Sequence, residues 1–552
     1  MKVSFISVFL SLGLTYFAQA KLPADEFFRV ETIAEGLADP MEIAIADSGE
    51  IFVIERTGSL KMIPSTGGAP VEIASLPVET RKDSFARECG LLGITLDPSF
   101  HENRWIYLYY SPKKKALHQL ARFTLRGINL TEPKMLLEVP QDPEENTCHE
   151  AGSLTFGPDG LLYLSTGDNT CPFKSSGSAP IDERRGRKHY DAQRSASNTN
   201  DLRGKILRIR PTDDGGYEIP EGNLFPEGTR KTRPEIFIMG CRNPYRISVD
   251  QKNSYLYWGM IGPDAAKDTE RGPRGYDEIN QAREAGNFGW PYFAGDNIPY
   301  AAYDFKRKKT GKKYDPAKPV NKSRNNTGLK KLPPAQPAFW HYTHASACAG
   351  PVYYSDLYPD GGGKFPSAFD SSLIVYDWTA NWLKVLKLDQ DGKILSTNPW
   401  LESHRFIHPN DMELGPKGEL YILEYGSKWY GGSDGRIRKI TYTDSAQEIQ
   451  TLARDPRLQG LPETHPGSDL IGGSTCLACH LPKEKSIGPS YLQVAQKYSD
   501  ATPATIEELS QKILKGGVGV WGQQPMPPHP QHNSEETQQM VEAILQVTDG
   551  HQ

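Results

Sequence analysis

Beyond the first twenty residues the chain lacks any apolar run of the roughly 20 residues that a bilayer span needs, so the mature protein is expected to carry no membrane helix. It also lacks a large excess of either charge: the net value of −5 leaves no electrostatic case for a nucleic-acid partner. Long helical periodicity is missing until late in the chain. Present instead are 26 Tyr, 20 Phe, 51 Gly and 43 Pro, a mixture that suits many short strands joined by turns. At 552 residues the chain exceeds one ordinary core, so two or three modules, or one repeat fold with an appendage, are expected.

Residues 1–20 combine Lys2, an apolar run from Phe5 and the ending Ala18-Gln19-Ala20, the pattern of a cleaved secretory signal peptide. The mature protein is therefore expected to be periplasmic or otherwise secreted. One pattern then recurs: an apolar strand, a turn built on Pro, Asp or Gly, and an aromatic-rich strand. It begins near residues 41, 90, 152, 245, 372 and 411. Recurring hairpins in an all-β composition predict a β-propeller over 21–442, with insertions at 169–203 and 292–345 where binding residues tend to sit. Residues 443–470, with Pro456, Pro462 and Pro466, read as a linker. Helical texture follows over 471–552, with Thr505 and Ser534 as expected N-caps. The run of Lys and Arg over 306–313 reads as a solvated loop.

Within that last region, Cys476-Leu477-Ala478-Cys479-His480 is the C-x-x-C-H signature of covalent haem c attachment. Two thiols add to the haem vinyl groups, and His480 becomes an axial ligand of the iron. Met526, in a proline-rich loop, is the expected sixth ligand, with His529 as its rival and Met540 assigned to core packing. The domain resembles small class I bacterial cytochromes c, in which a pair like Gly488-Pro489 orients the axial histidine.

In the propeller, a hairpin centred on Pro158-Asp159 places His149 opposite Asp168. A carboxylate beside an imidazole raises its basicity and fixes its orientation, as a general base near neutral pH requires. Five short segments, ECGLLGITLDPSF at 88–100, HEAGSLTFGPDG at 149–160, MGCRNP at 239–244, IGPDA at 261–265 and YDEINQAREAGNFGWP at 276–291, resemble in their order the soluble quinoprotein glucose and sorbosone dehydrogenases. That resemblance implies a six-bladed propeller holding pyrroloquinoline quinone (PQQ) and calcium, and oxidation of a sugar or related alcohol. It implies His149 as catalytic base with Asp168 behind it, Arg242, Asn243 and Glu88 at the quinone, and the backbone of Gly262 and Pro263 at calcium. Asp277 and Glu278 are expected to be structural. Glu88 stands where an amide is usual. The cations that complete the family's clamp are not in register: Asp377-Trp378-Thr379-Ala380 and His408-Pro409-Asn410 align there, with Lys384 or Arg405 as substitutes.

Outside the haem motif lie Cys89, Cys148, Cys171, Cys241 and Cys348, an odd set in which Cys148–Cys171 is the expected disulfide. The reading is an all-β six-bladed β-propeller followed by a small all-α cytochrome c domain: a PQQ-dependent dehydrogenase that passes electrons to haem and on to a respiratory acceptor. A calcium-dependent lactonase and a non-catalytic carbohydrate- or partner-binding propeller are the alternatives.

Overall fold

The computed structural model describes residues 21–80, 88–142, 148–172, 175, 178–343, 346–447, 455–522 and 526–548. The expected signal peptide lies outside them. Six sheets radiate from one axis, each with a four-stranded path, and the innermost strands of successive blades touch in a ring that returns from the sixth to the first. Pro40–Ile45, Leu91–Leu96, Ala151–Phe156, Pro244–Val249, Ala347–Tyr353 and Pro409–Leu414 are these inner strands. The ring is closed by the N-terminal strand Phe28–Leu37, which pairs antiparallel with Gly435–Tyr442 and completes the sixth blade. Phe28 anchors that closure, its ring edge-on to Phe365, Trp400 and Tyr442 at 5.4–5.7 Å.

Five of the six recurring segments are the first two strands of a blade. The one at 372 is shifted: Ser372–Asp377 and Leu383–Leu388 are the second and third strands of blade five, and the inner strand is Ala347–Tyr353. Its sequence, ACAGPVY, carries little alternation because the strand is buried on both faces.

Polar side chains bind the ring at its axis. Glu42 of blade one accepts from Ile94 N of blade two at 2.7 Å, and Asp411 of blade six accepts from Ile43 N at 2.8 Å. Arg246 of blade four donates to the Asn410 and Met41 carbonyls.

The two expected insertions leave blades three and four and join one another. Asn321 Nδ2 donates to the Gln193 and Ser197 carbonyls at 2.7 and 3.0 Å, and Ser323 Oγ to Asp191 at 2.6 Å. They form a polar wall on one face of the propeller. The basic run falls in an exposed hairpin, Ala301–Asp304 with Lys309–Lys313.

The C-terminal region holds four helices, Pro466–Gly472, Tyr491–Lys497, Pro503–Lys515 and Ser534–Leu545, around Ile471, Leu477, Tyr491, Ile513, Met540 and Val541. The expected caps are each displaced. Thr502 caps the third helix, with Pro503 preset for the first helical position and Thr505 completing a capping box. Asn533 caps the fourth, paired with Glu536. The expected linker is shorter than its composition suggests, because Leu458 and Leu461 are buried in this helical core. The helical domain also rests on the propeller: Lys428 pairs with Glu484 at 2.6 Å, and Ala478 is buried in the same apolar cluster as Trp378, Phe406 and Tyr425. No helix among the described residues is long and apolar enough to cross a membrane.

Candidate active site and haem site

At the start of blade three, His149 Nδ1 lies 2.7 Å from Asp168 Oδ1, and both side chains are buried. With Nδ1–H donated to the carboxylate, Nε2 keeps its lone pair for a substrate proton. Asp168 is itself held from three sides: Trp290 Nε1–H donates to Oδ2 at 2.8 Å, Thr170 N–H to Oδ1 at 3.0 Å, and its own amide to the Arg242 carbonyl at 2.8 Å. Burial by itself would raise its pKa. His149, Arg242 and Trp290 together outweigh burial and hold the carboxyl below its usual range, so it stays ionised.

His149 has φ +70°, the left-handed region, which costs of order 1–3 kcal/mol unless the surroundings enforce it. Glu88 supplies the enforcement. Its Oε2 accepts from both His149 N at 2.6 Å and Glu150 N at 3.1 Å. Glu88, expected at the quinone, thus has one oxygen committed to bracing the histidine's backbone. Close packing also explains two glycines of the sequence segments: a Cβ on Gly93 would fall 2.0 Å from the Gly152 carbonyl oxygen across the blade boundary.

Arg242 is buried, donates through Nη1 to the Ile261 carbonyl at 3.0 Å and lies over the Trp290 ring. Beside it, Asn243 Oδ1 is buried with no partner among the described residues, an acceptor left for another group. Gly262 N donates to Asp277 Oδ1 at 3.2 Å, and a Cβ on Gly262 would fall 1.9 Å from the Tyr276 carbonyl oxygen, so the turn is tightly cradled. Next to Asp277, Glu278 Oε1 accepts from Gly295 N at 2.6 Å.

Neither proposed substitute replaces the missing cations. Lys384 sits over the rings of Trp382 and Trp340, and Arg405 is 3.7 Å from Asp455. Aromatic groups occupy the position instead: the His408 ring stacks on Trp378 at 4.1 Å, and Trp429 meets Trp378 edge-on at 4.7 Å. His408 Nδ1–H donates to the Gly426 carbonyl at 2.7 Å. The expected disulfide is absent. No cysteine is bridged, although Cys171 is near enough to add to the burial and the Glu88 charge that raise the Cys148 thiol pKa; the Cys148 sulfur faces the Thr170 carbonyl at 3.8 Å.

In the helical domain, Cys476–Ala478 form a single tight turn that presents Cys476, Cys479 and His480 together. His480 Nδ1–H donates to the Pro489 carbonyl at 2.7 Å, which leaves Nε2 for a metal. A Cβ on Gly488 would lie 2.3 Å from His480 Cε1, so only glycine admits the ring. Burial pushes the His480 pKa down, which favours the neutral, ligating form. Met526 is held by paired backbone bonds with Gly517 and packs on the domain core, while Met540 is fully buried in it. Among the propeller residues near this motif is Asp264, whose charge, after burial and Cys476, raises the Cys479 thiol pKa. The turn that follows Gly262-Pro263 is therefore near enough to the haem-attachment motif for its charge to be felt there, a proximity invisible in the sequence.

A six-bladed propeller with a carboxylate-backed histidine, joined to a helical C-x-x-C-H domain, defines the class: a dehydrogenase-type propeller with a cytochrome c-like partner domain. Residues 37–430 match the family described as Glucose / Sorbosone dehydrogenase, and the chain belongs to that family of oxidoreductases. It is 25% identical over 425 residues to quinoprotein glucose dehydrogenase B of Acinetobacter calcoaceticus, covering 70% of this chain and 82% of that one. The C-terminal domain is 44% identical over 72 residues to cytochrome c-552 of Hydrogenobacter thermophilus, covering 13% of this chain and 71% of the relative. The crystal structure of an oxidoreductase of Thermus thermophilus, described as a glucose dehydrogenase, shares the propeller fold with a TM-score of 0.52 at 23% identity, covering 75% of this chain and 99% of that one.

Proposed function

We propose that the protein is a periplasmic or secreted quinohaemoprotein that oxidises an aldose or related alcohol with PQQ and calcium and passes the electrons to a covalently bound haem c. The observation that carries this reading is the His149–Asp168 pair, buried and oriented, with Arg242 and the unpartnered Asn243 Oδ1 beside it. The residues fit the quinone in kind: Arg242 for a carboxylate, Asn243 for a polar ring substituent, and the Gly262 and Pro263 carbonyls for a calcium ion that takes 6–8 oxygens. They offer fewer cations than the family pattern, with His408 and Trp378 contributing an aromatic wall in their place. When bound, the quinone supplies the acceptor for a hydride from the substrate carbon. His149 Nε2 takes the hydroxyl proton, Asp168 stabilises the imidazolium that results, and Glu88 keeps the histidine in its left-handed conformation. Cys476, Cys479 and His480 would hold the haem, and Met526 would supply a thioether ligand to its iron. Asp264 beside Cys479, and Ala478 against the propeller's aromatic cluster, support transfer within one molecule.

The test is to reconstitute the haem-containing protein with PQQ and calcium and to screen aldoses and alcohols with an artificial electron acceptor. Dye reduction that requires quinone is expected. Lactone hydrolysis without dye reduction, or ligand binding without turnover, would overturn the assignment in favour of a hydrolase or a binding propeller.

A further inference from the structure

Directly behind the catalytic histidine, Cys89, His118 and Glu150 converge from separate segments. Their ligand atoms all lie within 4.8 Å of one another, and all three side chains are buried. Cys89 precedes the inner strand of blade two, His118 is on the third strand of that blade, and Glu150 precedes the inner strand of blade three. The cluster therefore straddles a blade boundary.

The separations are those of metal ligands. Cys89 Sγ is 3.6 Å from Glu150 Oε1, and His118 Nε2 is 3.7 Å from Glu150 Oε2. A tetrahedral zinc ion, with bonds of about 2.3 Å to sulfur and about 2.0–2.2 Å to nitrogen and oxygen, sets its donors roughly 3.3–3.6 Å apart. The other ring nitrogen is engaged: His118 Nδ1 lies 3.1 Å from Tyr109 Oη and 3.1 Å from the Gln141 amide. Gln141 Nε2 donates to Nδ1, so the ring proton sits on Nε2, which points towards Glu150; a metal bound at Nε2 moves that proton to Nδ1, where the Tyr109 oxygen accepts it. Asn169 Nδ2 donates to Glu150 Oε1 at 3.3 Å and fixes the carboxylate.

The chemistry of the donor set agrees. A thiolate, a carboxylate and a neutral imidazole carry two negative charges, the number that one divalent cation balances. A divalent cation makes the site neutral. Three mixed S, N and O donors suit zinc better than calcium or magnesium, which prefer oxygen throughout. We propose that Cys89, His118 and Glu150 bind one structural zinc ion, with the fourth position taken by the second Glu150 oxygen or a water. Zinc entry displaces the Cys89 thiol proton and cross-links blades two and three immediately behind His149.

The experiment uses the full-length haem protein purified from zinc-replete cells and dialysed against a weak chelator. Elemental analysis should find about one zinc per chain in addition to the haem iron. Absorption spectroscopy at the zinc edge, separate from that of iron, should show one sulfur at about 2.3 Å with nitrogen or oxygen at about 2.0–2.2 Å. Cys89→Ala and His118→Gln should each lower zinc content at least tenfold while the haem spectrum persists. A zinc-free parent protein overturns the proposal, as does a zinc edge without sulfur or unchanged zinc in both variants. The parent spectrum decides the matter even if the variants fail to fold.

Discussion

At the scale of single residues, two histidines have opposite tasks set by what their Nδ1 atoms face. His149 donates to a carboxylate that fixes its orientation and tautomer, so His149→Ala should lower dye-linked sugar oxidation by about 10²–10⁴-fold while the haem spectrum stays intact. Near-normal turnover in that variant would remove the assignment. Asp168→Asn should lower kcat by a comparable factor, since an amide neither enforces the tautomer nor stabilises the charged ring. His480 donates to a backbone carbonyl and is prepared for iron, and its support is steric as well as polar. Gly488→Ala drives a methyl group into the ring and should shift the haem potential or abolish incorporation, read by redox titration. The approach of His149 to Asp168 was legible because a hairpin folds the two segments back on one another, but the register differs from the expected one: the ladder pairs Leu154 with Leu164 and Phe156 with Leu162, centred on Asp159, and a shift between Ala151 and Leu154 intervenes before the two side chains meet. Glu88 was visible as a residue but not as a brace, because its partners are backbone amides 61 and 62 positions away.

At the scale of elements, local rules were followed closely but the ends were moved by one or a few residues. Thr502 and Asn533 replace Thr505 and Ser534 as caps, since the residue just outside each helix is free to adopt an extended conformation while its neighbour is already helical. Asn533→Ala should cost about 0.5–2 kcal/mol of cytochrome-domain stability, measured by denaturant unfolding monitored through the haem, whereas Ser534→Ala should cost less. The inner strand of blade five escaped notice because a strand buried on both faces lacks the alternation by which its siblings are found.

At the scale of the whole molecule, buried titratable groups link pH to stability. Burial, with the nearby Arg457 charge, pushes His408 down to about 3 from an ordinary value of 6.5. Between those values the unfolded chain binds the extra proton, so this group's contribution is complete above about pH 6.5 and is lost as pH falls. Glu278 acts in the opposite sense: burial pushes it up to about 7, so the folded state holds a proton that the unfolded state releases above about pH 4.5, and stability declines as pH rises towards 7. Denaturant midpoints measured between about pH 4.5 and 6.5 should rise less steeply in His408→Gln than in the parent protein. Docking of the two domains sets a second expectation: substrate-driven haem reduction should be first order and independent of protein concentration in stopped-flow measurements. A rate rising linearly with concentration would show that electrons pass between molecules. Met526→Ala should lower the haem potential while dye-linked oxidation persists.

The sequence by itself determined what depends on neighbours along the chain: the hairpins of the propeller, the haem-attachment turn, the last three helices near their observed bounds and the approach of His149 to Asp168, though not the register of their hairpin or the helix Pro466–Gly472. Only the tertiary structure decided what depends on segments far apart. The expected linker ends earlier than its composition suggests because Leu458 and Leu461 find partners beyond residue 470, and the aromatic stack of Trp378, His408 and Trp429 stands where cations were sought. The meeting of Cys89, His118 and Glu150 likewise arises from closure of the ring. Side chains brought together by that closure have no spacing rule in the sequence, because the distance between them is set by how blades pack and not by how many residues separate them.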